Sequence, residues 1–334
     1  MASVSVTETV YDRLESQRLA ALRAFWLTAV ICVLLLPLAA LPLAGGMFVM
    51  FDHPPGTAMA ALAEPARAFL EPYVQPVLLG ASVWLFVGLY LAGRYFVRHG
   101  RQPVWDYIRN FKAVVLNHVC ELHFPGLSYD PKGCIGYDEF DATNLFAYTS
   151  DEYRSEDFFG GRSGQTDIHF AEVLAKRERR RFSKGSFETY YDEFFRGLVF
   201  VADFHKHFHS HTRLIPRDRK LKKVRGERPV TMEDPEFEEI FATVSTDQVD
   251  ARYVLSSSMI RRFVDLNKRF PGMRALFRDE QLVLALPRHR DLFEPSLYRR
   301  ARSSAQIGEF VRDIKGLLQI VDEMNLNTRI WSKV

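Results

Sequence analysis

Residues 24–51, AFWLTAVICVLLLPLAALPLAGGMFVMF, and residues 73–93, YVQPVLLGASVWLFVGLYLAG, decide how the chain is divided. Neither run contains a charged side chain. A helix needs about 20 apolar residues to cross a hydrocarbon core of roughly 30 Å, so each is long enough. The first exceeds that length, and Pro37, Pro42 and the pair Gly45 and Gly46 point to a kink, a tilt or an early helix end. Trp26, Tyr73 and Tyr95 stand near the run ends, where amphipathic rings favour a headgroup boundary.

Outward from these runs, basic residues set the expected orientation. Arg13, Arg18 and Arg23 precede the first run, while Arg94, Arg98, Arg101, Arg109 and Lys112 follow the second. The stretch 52–72 between them holds Arg67 beside Asp52, Glu64 and Glu71. The preference of basic flanks for the cytoplasmic side puts both termini in the cytoplasm and the short loop outside. Glu8, Asp12 and Glu15 set the leading arm apart from a secretory signal, whose first region is basic. The expected divisions are a cytoplasmic arm (1–23), a two-helix transmembrane hairpin (24–99), a juxtamembrane amphipathic helix (100–124) and a cytoplasmic domain (125–334).

The 47% hydrophobic content averages these unlike parts and describes no single core. Cys32, Cys120 and Cys134 match no zinc spacing, and in a cytoplasmic domain they read as reduced packing residues. The net charge of +3 conceals a polarised chain. Between Lys176 and Arg228 there are 16 Lys or Arg against 7 Asp or Glu, whereas residues 229–255 carry seven acids and only Arg252 as a base.

Beyond the second run, Val104, Trp105, Ile108, Phe111, Val115, Val119 and Leu122 recur at helical spacing as one apolar stripe, closed by Pro125 and Gly126. A short helix is expected over residues 137–147. Gly160, Gly161 and Gly164 then read as a turn between two strands, the second running to Leu174 ahead of the basic cluster. Residues 194–204, FFRGLVFVADF, are rich in aromatic and β-branched residues and predict a buried strand. Residues 217–228 read as an exposed basic loop. Asp234 and Pro235 open a helix, Ser245 to Gln248 fit a capping box, and residues 256–270 form another helix. Residues 274–277 and 281–286 read as a hairpin, and Ile307 to Met324 as an amphipathic helix of about five turns. Strands and helices come in blocks, so the expected class is α+β: two transmembrane helices, then a soluble domain of antiparallel sheet and packed helices.

Several blocks resemble a known family. They are Glu156 to Gly160 with Thr166 to Val173, Phe195 to Phe204, Glu233 to Glu238, Ser245 to Tyr253, and the tail Asn325 to Trp331. They are similar to bacterial membrane proteins grouped as domain of unknown function three-one-three-seven. The resemblance implies a multi-pass protein of the bacterial inner membrane with an α+β cytoplasmic domain. It carries over no catalytic residue.

Chemistry is sparse. His205, His207, His209 and His211 alternate, so on a strand they would share one face about 7 Å apart, but one straight strand cannot wrap four ligands around an ion. Asp167 and His169 share a strand face that Glu172 does not, and Asp203 with His205 is again only a pair. No nucleophile or phosphate loop accompanies them, and no cofactor is expected. The basic clusters are more suggestive. Arg179, Arg180, Arg181, Lys220, Lys222 and Lys223 would each gain about 1 kcal/mol beside an anionic leaflet. No groove-reading motif points to nucleic acid. The leading expectation is an anchored, non-enzymatic module that binds a partner protein or the anionic inner leaflet. The alternatives are a membrane-bound, metal-dependent hydrolase and an oligomeric envelope scaffold using Gly88 and Ala92 as small interface residues.

Overall fold

The computed structural model describes residues 2–50, 74–183, 186–204 and 210–327. They form two compact units, Met1–Asn110 with Ser296–Arg302, and Phe111–Pro295 with Ser303–Val334.

The first unit is built on α1 (Ala2–Met50) and α2 (Val74–Phe96). Two helical stretches, Thr9–Leu34 and Leu79–His123, are long and apolar enough to cross a membrane by length and composition. The leading arm is part of α1, and α1 continues through Pro37, Pro42 and both glycines rather than ending early. The two helices meet through Phe25 and Phe96, edge to face at 5.5 Å, and through Cys32 Sγ, 3.5 Å from the Ala92 carbonyl. From Leu79 to Phe96, the less exposed positions of α2 are Ala81, Ser82, Leu85, Gly88, Ala92 and Phe96. Gly100 lets the chain come close to α1, because a Cβ there would lie 2.7 Å from Thr28 Oγ1. Trp26, Leu27, Val30, Leu34, Trp84 and Phe86 remain exposed. At the near end of α1, Arg18 donates to the Leu297 carbonyl (2.6 Å) and Glu15 accepts from the Ala301 amide (2.9 Å).

After α2 the helix carries π turns at Val97–Arg101 and Lys112–Leu116, flanking α3 (Gln102–Phe111) and followed by α4 (Asn117–His123). Each π turn inserts a residue and rotates the following face. The expected stripe is therefore corrected: Trp105 and Leu122 are exposed, while Lys112, Leu116 and Cys120 are buried with Phe111, Val115 and Val119.

The second unit is a nine-stranded antiparallel sheet, in the order β1-β2-β3-β4-β9-β8-β5-β7-β6. Its strands are β1 (Leu127–Asp130), β2 (Glu152–Ser163), β3 (Thr166–Ser183), β4 (Ser186–Asp203), β5 (Thr212–Pro216), β6 (Arg228–Val230), β7 (Phe241–Ser245), β8 (Arg274–Arg278) and β9 (Gln281–Pro287). With α4, the helices of this unit among the described residues include α5 (Tyr137–Ala142), α6 (Pro235–Ile240), α7 (Gln248–Val254), α8 (Ser257–Arg269) and α9 (Ser304–Glu323). The mixed architecture of helix and antiparallel sheet is the one expected. Alternation along β3 sends Ala171, Val173 and Ala175 to one face, where Ile135, Phe140, Leu145 and Phe146 cover them together with Val199, Val201 and Leu276. Ile168 and Phe170 point the other way. There Phe170 stacks between Phe159 (4.9 Å) and Phe200 (5.9 Å), and Phe293 links Phe159 (4.8 Å) to Phe310 of α9 (6.4 Å).

Local differences from the sequence reading have physical causes. Helix α5 ends at Ala142 rather than 147, because Asn144 takes a left-handed φ of 51° and Thr143 Oγ1 donates to the Phe140 carbonyl. Gly160 and Gly161 lie inside β2, and only Gly164 and Gln165 turn the chain. Gly161 is needed for approach, since a Cβ there would sit 2.0 Å from the Gly126 carbonyl oxygen. The cap of α7 is Asp247, which accepts from the Val249 and Asp250 amides, whereas Ser245 closes β7. The strand expected to stop at Leu174 runs to Ser183.

Candidate functional site

The extension of β3 and β4 is the feature with most to offer a partner. Strand β2 pairs with β3 only as far as Lys176, and β9 pairs with β4 only from Gly197. From Arg177 to Ser183, β3 is paired with Ser186 to Asp192 alone. The result is a two-stranded arm, with neither edge paired to a further strand among the described residues. Hairpins of this kind are marginal in water without a covering surface. Near its turn, Phe182 and Phe187 sit opposite each other, edge to face at 5.1 Å, and are 63% and 73% exposed. Tyr190 and Tyr191 are also exposed.

The six basic residues singled out from the sequence divide between this arm and the loop after β5. Arg179, Arg180 and Arg181 lie on the arm, so a cluster expected outside regular structure is strand. Alternation sends Arg179 and Arg181 to one face and Arg180 to the other. Arg179 pairs with Asp192 at 2.9 Å and Arg180 with Glu178 at 3.1 Å. Lys220, Lys222 and Lys223 follow β5 in a segment that is held rather than loose. Buried Arg213 donates to the Lys222 carbonyl (2.8 Å) and pairs with Glu227, while Lys222 approaches Asp141 at 3.8 Å. Arg179 and Lys220, 41 positions apart, line one cavity at the base of the arm.

A second constellation escaped the sequence reading. Lys112, 6% exposed, reaches Asp157 Oδ2 at 2.8 Å and Glu294 Oε1 at 2.5 Å, and the Tyr129 hydroxyl donates to Asp157 Oδ1 at 2.8 Å. Asp157 occupies the bulge of β2 with a left-handed φ of 56°, which aims its carboxylate at both partners. Burial opposes the charge on Lys112, but Asp157 and Glu294 outweigh it and raise its pKa. Burial, then Asp157, raises the Tyr129 hydroxyl. Beside them Glu172 is pushed up to about 8, chiefly by burial, although its Oε1 accepts from the Leu292 amide at 2.7 Å. Burial, with Asp157 and Asp291 adding to it, favours the protonated form of Glu172. The visible signal was Lys112 itself, a lone cation inside an apolar stripe.

The proposed acid–base groups do not converge. Asp167 pairs with Arg162 at 2.8 Å, His169 meets Glu139 at 3.3 Å, and Glu172 is buried on the opposite face of the strand from both. In fact Glu172 shares its strand face with Phe170 and Ile168, whereas Asp167 and His169 alternate away. His205, His207 and His209 lie outside the described residues, and His211 is exposed. No group of three metal-ligating side chains occurs among the described residues.

Residues 193–326 match the family model described as "Protein of unknown function (DUF3137)". The resemblance read from the sequence holds. The match runs from the base of the arm in β4 to the end of α9, and so takes in the loop bearing Lys220. No curated protein matches the chain. Among solved structures the chain is similar in part to "crystal structure of the mycobacterial trehalose monomycolate transport factor A, TtfA". The identity is 11% and the TM-score 0.31, over 63% of this chain and 93% of that one. At that score the two backbones diverge too far for a shared architecture to be read from them.

Proposed function

We propose that the chain is a membrane-anchored interaction module, held by α1 and α2 in a bacterial inner membrane, whose β3–β4 arm contacts the anionic cytoplasmic leaflet. The observation that carries this reading is the arm itself, a ribbon with exposed Phe182 and Phe187 at its tip and Arg179, Arg180 and Arg181 just behind. Aromatic rings favour the headgroup boundary, and arginines beside it gain from anionic lipid. Apolar side chains exposed around α1 and α2 support the anchor, since in water such a surface would be costly. The chain link between anchor and arm keeps the local lipid concentration high, so modest affinity suffices.

The test uses the full chain in vesicles, with Cys134 changed to Ser and Phe187→Cys carrying a polarity-sensitive fluorophore. Emission is expected to shift to the blue in vesicles containing phosphatidylglycerol, and to revert with added salt or after reversing Arg179 to Arg181. Identical emission in purely zwitterionic vesicles rules the leaflet contact out.

A further inference from the structure

The cavity at the base of the arm has a volume of about 350 Å³. Its floor is aromatic: Phe146 and Phe194 lie 5.6 Å apart, and Tyr148 stands 6.0 Å from Phe194. Around that floor stand five cations, Arg177, Arg179, Arg219, Lys220 and Arg274, against three carboxylates. Those carboxylates are engaged. Asp192 Oδ2 is shared by Arg177 (2.8 Å) and Arg179 (2.9 Å), Glu193 pairs with Arg196 (3.2 Å), and Asp218 with Arg219 (3.4 Å).

Two cations are left over. Lys220 is exposed, and among the described residues it makes no ion pair. Arg274 lies across the Phe146 ring at 4.2 Å, and its buried Nε has no hydrogen-bond partner. That Nε has given up water without gaining an acceptor, a cost that a ligand oxygen would remove. Its pKa is lowered to about 10, first by burial and then by Arg219, so it stays charged at neutral pH.

We infer that this cavity binds a phosphate group, presented either by a lipid headgroup or by a soluble phosphorylated molecule. Guanidinium forks match phosphate oxygens in pairs, and a lysine adds a mobile point charge. The inference goes beyond the leaflet reading, since it rests on the cavity and not on the arm tip.

The experiment takes the full chain in detergent and measures its melting temperature with phosphate, sulfate or glycerol phosphate against chloride at equal ionic strength. A parallel set uses nanodiscs with or without phosphatidic acid. Selective stabilisation by the oxyanions, together with protection of Lys220 from acetylation read by mass spectrometry, is the expected result. Arg274→Gln and Lys220→Gln should each weaken binding at least tenfold, while Phe182→Ser with Phe187→Ser leaves binding of the soluble oxyanions in detergent unchanged. Since Lys220 is exposed, its variant guards against a folding defect in the other. Protection by phosphatidic acid alone assigns the phosphate to lipid, and protection by glycerol phosphate as well assigns it to soluble molecules. No selective stabilisation or protection in either set overturns the inference, as does undiminished binding in both charge variants.

Discussion

At the scale of single residues, buried charge is the clearest determinant of behaviour. Asp157 answers both Lys112 and Tyr129. Asp157→Ala leaves Lys112 with Glu294 alone and should cost about 3–5 kcal/mol, read by urea unfolding of the full chain through near-ultraviolet dichroism. Glu172 gives a pH signature. Its ordinary value of 4.5 rises to about 8 in the folded protein, so within that window the folded state holds a proton that the unfolded chain has released. Stability contributed by this group is therefore fully present below 4.5 and is lost as pH climbs towards 8, at about 1.4 kcal/mol per pH unit. Glu172→Gln should flatten that fall, measured as unfolding free energy from pH 5 to 8, with a smaller slope of the same sign left by Glu294, which burial also raises. Of this cluster only Lys112, a cation within an apolar stripe, left a trace in the sequence, and its partners left none. Lys112 looked like one more basic residue after the membrane run, and the left-handed backbone of Asp157 depends on strand pairing that local sequence does not express.

At the scale of elements, the sequence was a good guide wherever local chemistry dominates. Asp234 and Pro235 open α6 as expected, with Asp234 accepting from the Phe237 amide, and residues 274–287 form the expected hairpin across Asp279 and Glu280. It was a poor guide where tertiary pairing decides. Arg177 to Arg181 carry too much charge for a buried strand, yet pairing with Tyr190, Thr189 and Glu188 keeps the ribbon extended after the sheet ends. Gly160 and Gly161 have turn chemistry but occupy a strand, because β1 must pass close by. Gly161→Ala should therefore unzip β1 from β2 and lower stability by about 2–4 kcal/mol, seen as loss of exchange protection at the Arg162 amide, which donates to the Gly126 carbonyl. Helix α8, in contrast, should keep its protection in that variant.

At the scale of the whole molecule, apolar helices followed by a sheet-bearing region were legible from two uncharged runs and the composition that follows them. The meeting of Arg179, Lys220 and Arg274 in one cavity was not, since β5 and β8 come together only through the sheet order. The native thiols provide a test of sidedness. Cys134 is exposed, while Cys120 is buried and Cys32 lies in α1. A membrane-impermeant maleimide should leave Cys134 unmodified in intact spheroplasts and modify it in inverted vesicles; the opposite pattern would reverse the cytoplasmic assignment.

The sheet order also dictates when the protein can be finished. Strand β4 finds its second neighbour not in β5 but in β9, with Gly197 opposite Pro287 and Asp203 opposite Gln281. A ribosome must therefore make some eighty further residues, at about 5–20 per second, before the middle seam can close. For those several seconds the nascent chain carries a bare, strongly apolar strand edge. Its biogenesis should accordingly lean on chaperones that shield such edges during synthesis, more than on any factor acting after release.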